Sequence, residues 1–487
     1  MKNKYIYIIS AMCILFAVKG VKAQYNDISY FMRNVPSSFK MNPANTPIAK
    51  FYINMPMAGV NFEFATSGFS YNDIITRRAD DSLKVDLDKF YNKLTDKNYV
   101  KFGSNIELFG FGFQAGKKGY FSLGLDLNID GNVNFSKGIF GFILNGTESE
   151  NKKTDFINNK LISLNAFIAP SISYSRLIND KLTVGARVKL PMGIANITTD
   201  KSELTIDFND DKITATSNFL IRTSNIIGSI DFRGLENSSD IEFNTSEKAS
   251  EIINLAKKNL GLAFDLGGSY KLNNTMLVSL SIQDLGYINW GANTTQLQSK
   301  NPNASYTFNG LGSIDFNDEN NTIGDQFEEI LDSVITSFDL EAVEGKTYTQ
   351  MLPAKLYAGF TWNFAKTQYL NALYKGAFGN NYSDHYISIY YTTQLERYLN
   401  FSIGNTFAFE NHFNSITALN PSIALNLNLY MINIYFGGSL RSSYNLTKLT
   451  GVNVFVGMNI AFGYKDYWEK DESTKDINIP EEKNIKE

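Results

Sequence analysis

Hydrophobic and polar residues alternate strictly from Gly119 to Asp130. Phe121, Leu123, Leu125, Leu127 and Ile129 share one face; Ser122, Gly124, Asp126, Asn128 and Asp130 share the other. This is the period of a β-strand, and such a strand divides two environments. The pattern recurs. Leu182, Val184, Ala186, Val188 and Leu190 oppose Thr183, Gly185, Arg187 and Lys189. Leu262, Phe264, Leu266, Tyr270 and Leu272 oppose Ala263, Asp265, Gly267, Ser269 and Lys271. Ile423, Leu425, Leu427 and Leu429 form one face of a later run, and Val452, Val454, Val456, Met458, Ile460 and Phe462 one face of another. The apolar face looks into a core in a soluble sheet and out at lipid in a membrane barrel.

The connections decide between the two. Tight turns fall at Gly116–Gly119, Asn179-Asp180, Asn273-Asn274, Ala365–Thr367, Leu395–Arg397 and Tyr430-Met431. Between them lie longer connections at 65–100, 131–160, 200–257 and 291–350, then shorter ones near 379–382, 411–414 and 446–450. Short and long connections take turns along about 14 strands, so every long loop falls on one side of the sheet. Outer-membrane barrels sort their loops in this way, whereas a soluble sandwich lengthens connections at both ends. The expected fold is an all-β, transmembrane antiparallel barrel of about 14 strands, with apolar faces toward lipid. Tyr120, Tyr270, Trp290, Trp362, Tyr369, Tyr398, Tyr464 and Trp468 near strand ends are expected either in interfacial girdles or simply as good strand formers.

The N-terminus adds a compartment. Lys2 and Lys4 precede an apolar run from Tyr5 to Val18 that is too short to span a bilayer, and Val21-Lys22-Ala23 offers small residues for cleavage. Residues 1–23 are therefore read as a signal peptide, with Gln24 opening the mature chain. Cys13, the only cysteine, lies inside the apolar run, and Met12 stands where a lipoprotein signal needs a small residue. A cysteine-free mature chain relies on burial or on a sheet closed upon itself. Removing the leader's four lysines from 45 basic side chains, against 49 acidic ones, gives a net charge of −8. A nucleic-acid partner would want the opposite sign.

Three stretches have helical rather than strand periodicity: 80–94 (Leu83, Leu87, Phe90, Leu94), 246–259, and 323–338 (Phe327, Ile330, Leu331, Val334, Phe338). The second opens at Ser246 but has Ala249 where a capping box needs an acid. All three fall in long connections and are expected as short loop helices over the outer mouth. Residues 466–487 are charged and proline-interrupted, and read as a periplasmic tail.

Several segments resemble a known family: the 261–290 hairpin ending in Asp284-Leu285-Gly286 and Trp290, "MNPANTP" at 41–47, and "LPAKLYAGFTWNF" at 352–364. They resemble an uncharacterised family of Bacteroidota outer-membrane barrels, itself similar to FadL-type long-chain fatty-acid transporters and to barrels of type IX secretion. The resemblance covers nearly the whole mature chain. It implies a monomeric barrel over 50–465 whose segment 24–49 folds into the lumen as a hatch. Asn42, Pro43 and Ala44 would mark the hatch junction; Pro43 lacks an N–H and holds Asn42 extended.

On the expected barrel, Asp126, Asp130, Arg187, Lys189, Asp265, Lys271 and Lys355 face the lumen. Both signs are present, so an ionic ladder across the interior is expected, with Arg187 or Lys189 paired to Asp265. A ring of one sign would instead favour an ion-selective pore. Pro170 removes a ladder hydrogen bond from mid-strand, which reads either as a β-bulge or as a lateral gap in the wall.

Other chemistry is thin. His385 and His412 belong to no recognisable catalytic arrangement. Two histidines and no mature cysteine argue against a transition-metal site. The acidic stretches 207–212 and 315–320 start like calcium loops but lack the glycine at the sixth place and the glutamate at the twelfth. Gly110 and Gly116 are misplaced for a phosphate loop, and no Ser or Thr follows Lys117. No catalytic residue, metal or cofactor is expected. The leading expectation is an outer-membrane protein surrounded by lipid that binds or passes a small hydrophobic ligand. The alternative is a non-transporting barrel that scaffolds secretion or surface proteins; an enzyme is the third and most remote.

Overall fold

The computed structural model describes residues 27–32, 35–77, 83–85, 87–96, 98–138, 153–155, 161–209, 212–225, 254, 256–300, 305–307, 340–379, 382–395, 398–410, 416–442 and 448–464. The signal peptide and tail expected from sequence, His412, the 315–320 stretch, and most or all of the helices expected at 246–259 and 323–338 lie outside these residues.

The strands in chain order begin with β1 (Ala49–Thr66), β2 (Ile75–Arg77), β3 (Leu83–Val85), β4 (Asn98–Ala115), β5 (Gly119–Phe135), β6 (Lys153–Asp155), β7 (Ile162–Leu177) and β8 (Leu182–Lys189). Next come β9 (Met192–Asn209), β10 (Lys212–Asn225), β11 (Gly261–Lys271), β12 (Met276–Trp290), β13 (Thr294–Ser299), β14 (Ser305–Thr307), β15 (Leu340–Glu344) and β16 (Tyr348–Met351). The last are β17 (Ala354–Ala365), β18 (Gln368–Gly379), β19 (Tyr382–Leu395), β20 (Leu399–Glu410), β21 (Ile416–Leu429), β22 (Ile432–Ser442) and β23 (Leu449–Tyr464). All but β2 and β3 form one sheet, which closes where β1 pairs with β23. Several segments lie end to end, so the wall is an antiparallel barrel of 14 strands. Closure leaves no edge, and the alternation expected from sequence becomes an inside and an outside.

The outside is apolar. Val184, Leu266, Leu280, Ile403, Ile423, Val454 and Val456 are all exposed on the wall. In water such a surface is unfavourable; in a bilayer it is the contact with lipid tails. Among the described residues no helix is long and apolar enough to cross a membrane.

The wall is taller on one side than the sequence indicates. The stretches 200–257 and 291–350, expected as connections, carry β10, β13, β15 and the upper part of β9, paired to one another above the lipid-facing band. Three girdle candidates also point inward. Tyr120 and Trp290 are buried inside the barrel, and Tyr369 lines an interior cavity. Trp290 changes sides because β12 carries a bulge at Gln283-Asp284: Leu266 faces Ile282 and Phe264 faces Leu285, so Asp265 alone opposes two residues.

Over the outer mouth, α2 (Tyr71–Ile74) and α3 (Leu87–Lys93) pack with the strand ends through Phe69, Phe90 and Leu94, backed by Ile74, Val100 and Phe135. Earlier in the chain a 3-10 turn (Asp27–Phe31) and α1 (Pro36–Met41) lie inside the barrel.

Candidate functional site: the hatch and the wall break

The segment from Asp27 to Ile48 fills the lumen. Ile28, Met32 and Val35 pack against Tyr390, Ala424, Tyr435 and Phe455 of the wall. Phe39 packs against Tyr52, Tyr120 and Ala461, and Tyr30 stacks on Tyr357 with ring centroids 5.8 Å apart. Two apolar layers thus seat the segment. Polar contacts fix its register.

At its start Asp27 pairs with Lys375 at 2.6 Å. At the end of α1, Lys40 sits between Glu107, at 3.0 Å, and Asp126. Arg187 reaches the same turn: its guanidinium donates to the carbonyls of Lys40 at 2.7 Å and Phe39 at 2.8 Å, and to Asp265 at 3.1 Å. The Lys40 carbonyl also accepts from Gln283 at 2.6 Å, and the Met41 carbonyl from Ser281 at 2.7 Å. The carbonyls that a helix end leaves unpaired are taken by the wall.

The ion cluster then continues along the wall. Lys189 bridges Asp265 at 2.8 Å and Asp284 at 2.7 Å, and Lys355 holds the second Asp284 oxygen at 2.8 Å. Lys40, Arg187, Lys189 and Lys355 meet Glu107, Asp126, Asp265 and Asp284, so the cluster balances its charge. Asp265 is fully buried, which a carboxylate tolerates only with partners of this kind. Asp284 is held at φ +59°, an uncommon conformation for a side-chain-bearing residue, and its N–H donates to Asp265 at 2.9 Å. The bulge aims this one carboxylate at two lysines.

Of the residues singled out from sequence, Asp126, Arg187, Lys189, Asp265 and Lys355 therefore meet in one cluster. Asp130 stands apart and accepts from Asn165 at 3.1 Å. Lys271 lies at the tight-turn end, beside a cavity of about 80 Å³ lined by Tyr30, Phe31 and Ile48 of the hatch and by wall residues such as Asn371 and Gln394. Sequence reasoning missed Lys40, Glu107 and Asp284. The last two lie at bulges, which break the alternation used to find lumen residues.

Asn42, Pro43 and Ala44 form a turn: the Asn42 side-chain oxygen accepts the Ala44 N–H at 2.9 Å, and its amide donates to Tyr30 Oη at 3.0 Å. The turn rests on Gly185 and Gly267. His385 stacks on Tyr374 and its Nδ1 is 2.9 Å from that hydroxyl. No group of metal-ligating side chains occurs among the described residues.

The wall itself is irregular at one height. On the β5 side Pro170 lies within an unbroken ladder, opposite Leu125. On its other side pairing stops at Ile168 with β9 and resumes at Ser171 with β8; between them Leu190 N–H donates to the Pro170 carbonyl at 2.9 Å. One strand over, the chain breaks at Leu190-Pro191 between β8 and β9. The next column is built from two pieces, with β10 ending at Asn225 and β11 starting at Gly261. Pro191 C=O accepts the Gly261 N–H at 2.7 Å, and Met192 bridges Leu260.

Asn259 closes this break. Its side-chain oxygen accepts the N–H groups of Gly291 and Ala292, both at 2.8 Å. Its amide donates to Gly193 C=O at 3.2 Å and Ser224 Oγ at 3.1 Å. Immediately beside it, Ile288, Trp290 and Tyr348 form a buried cluster with Phe167 and Leu352.

This fold and interior define a transmembrane β-barrel closed by its own N-terminal hatch. The chain belongs to a family of unknown function (DUF5723), matched over residues 43–438. No curated protein matches it. Among solved structures it is similar to the Ralstonia pickettii toluene transporter TbuX, at 12% identity and TM-score 0.45, covering 92% of this chain and 100% of that one. The P. putida toluene transporter TodX is similar at 13% identity and TM-score 0.40, covering 87% and 93%. A Pseudomonas aeruginosa FadL homologue is similar at 10% identity and TM-score 0.42, covering 91% and 100%.

Proposed function

We propose that the chain is a monomeric outer-membrane barrel of a Gram-negative bacterium that binds small hydrophobic compounds and passes them sideways through the wall break. The observation that carries this reading is the coincidence of the break with an apolar cluster. A hydrophobic solute gains nothing from the ion-paired interior, and the hatch fills the axis. At the break it would meet Ile288, Trp290, Tyr348 and Phe167 on one side and the lipid-facing Leu190 and Leu260 on the other. Backbone bonds still cross it, from Leu190 to Pro170, Gly261 to Pro191 and Gly193 to Asn259, but Pro170 and Pro191 have no N–H to donate, so opening there breaks fewer hydrogen bonds than in a stretch without proline.

The test is a lock. Cysteines replacing Met192 and Leu260, which face each other across the break, should form a disulfide under oxidation. Oxidised protein in vesicles should lose uptake of a labelled alkylbenzene, and reduction should restore it. Equal uptake in both states removes the proposal.

The filled, salt-bridged lumen also favours a second reading, a barrel that scaffolds secretion or surface proteins without transport. On that reading the locked and unlocked forms hold the same defined partner equally, and neither raises uptake above that of empty vesicles.

A further inference from the structure

Almost every polar group at the wall break is spent. Asn259 uses both ends of its amide, Tyr348 Oη donates to Asn196 at 2.6 Å, and Asn196 in turn donates to Asn165 and Gln350. The unpaired donor of the apolar cluster is Trp290. Its side chain is fully buried, and the indole N–H has no hydrogen-bond partner among the described residues. The six-membered edge of the indole lies over Gly193, where a Cβ would come within 2.2 Å of the ring, so the N–H edge is turned away from that strand. Leaving such a donor unpaired costs about 1–3 kcal/mol, which a pure packing role for the side chain does not explain. Phenylalanine would fill the same place without that cost.

Resting on the passage proposed above, we infer that the compound admitted at the break is an apolar ring or chain bearing one neutral hydrogen-bond acceptor, which the indole N–H of Trp290 receives. The surrounding residues supply the rest of the recognition. Ile288, Phe167 and Leu352 offer apolar contact and Tyr348 an aromatic face. A carboxylate suits the site less well. The cation beside it, Arg222, lies over the Tyr348 ring and is already paired with Asp200 at 3.0 Å, so no countercharge is on hand.

Two probes of nearly equal size separate the possibilities: ethylbenzene, which has no acceptor, and acetophenone, which has one acceptor and no donor. In detergent-solubilised full-length barrel, acetophenone should bind about fivefold more tightly, the value of one net hydrogen bond. In Trp290→Phe the two should bind alike. A readout independent of that variant is the indole N–H resonance of Trp290, one of only three tryptophans in the chain. In protein labelled with 15N-tryptophan it should move downfield with acetophenone and not with ethylbenzene. Equal affinities for the two probes in the unmodified protein, or a preference that survives in Trp290→Phe, overturns the inference while leaving passage intact. Binding of neither probe overturns the passage reading and this inference with it.

Discussion

Gly185 and Gly267 stand opposite each other on β8 and β11, and the Asn42–Ala44 turn of the hatch rests on both. A Cβ on Gly185 would fall 2.3 Å from the Pro43 carbonyl oxygen, and one on Gly267 would fall 2.1 Å from the Asn42 side-chain oxygen. The first obstacle is backbone, and the second is an oxygen already bonded to Ala44. Neither yields without moving the turn. Gly185→Ala and Gly267→Ala should each unseat the hatch at a cost of about 1–3 kcal/mol, the usual penalty of overpacking. The barrel wall should remain intact. Protease cleavage between residues 30 and 48, absent in the parent and present in the variants, would report this; equal protection would refute it.

Asp284 combines two demands that substitutions can separate. Its backbone must take a left-handed conformation, and its carboxylate must hold Lys189 and Lys355. Asparagine tolerates that backbone and keeps a hydrogen-bonding oxygen, whereas alanine loses on both counts. Asp284→Ala should therefore destabilise by about 2–4 kcal/mol and Asp284→Asn by less, since Lys189 retains Asp265 in either case. Adding Lys355→Met to Asp284→Ala removes the stranded cation and should recover part of the loss. Urea midpoints of the parent, the two Asp284 variants, Lys355→Met and the double variant in micelles test the order. A loss in the double variant equal to the sum of its two single losses would deny the pairing any energetic role.

These sites also mark where the sequence could and could not be read. Alternation is imposed by lipid, so the strands inside the apolar band were legible, as were the six tight turns between them. "KITATSNFLIRTSN" forms β10 although its first half shows no apolar face. It pairs with β9, β13 and β14, which lie wholly or partly in the stretches expected as connections. Within the band, Arg187 and Asp265 lie in phase with their neighbours and could be assigned to the interior. Asp284 and Glu107 lie at bulges that shift the phase by one, and strict alternation misassigns every residue beyond such a point. Trp290 was misplaced for that reason. Lys40 was missed because it belongs to a six-residue helix, too short for periodicity to reveal.

At the outer mouth Asp73 reaches back to Ser70 at the start of α2. The Asp73 carboxylate accepts the Ser70 hydroxyl at 2.7 Å and its N–H at 2.9 Å. Burial pushes the carboxyl pKa up, but the two Ser70 bonds together with the nearby Lys448 and Lys93 charges outweigh it and hold the value below the ordinary aspartate range. A depressed folded-state pKa contributes stability that is present above the unfolded value and lost as pH falls through the folded one. Acidification from about pH 5 downward should accordingly loosen the cluster of Phe69, Phe90 and Leu94. In Asp73→Asn that pH dependence should vanish. The 19F linewidth of a fluorophenylalanine at position 90 follows it; identical titrations in the two proteins would count against this role of Asp73.

Asn259 is the single side chain on which the broken column depends, because it serves Gly193, Ser224, Gly291 and Ala292 at once. Ala292 is buried, and removing the Asn259 oxygen leaves its N–H and that of Gly291 without their acceptor. Asn259→Ala should speed hydrogen exchange at the Gly291 and Ala292 amides by roughly 10- to 100-fold, equivalent to about 1.4–2.7 kcal/mol of local opening. Asn259→Asp keeps the acceptor and loses the donor, so those two amides should stay protected while the contacts to Gly193 and Ser224 are lost. Amides of β19 and β20, far around the barrel, provide the control and should not change in either variant. If Gly291 and Ala292 exchange no faster in Asn259→Ala than in the parent, the break is held shut by packing and its backbone bonds, and the side chain closes nothing.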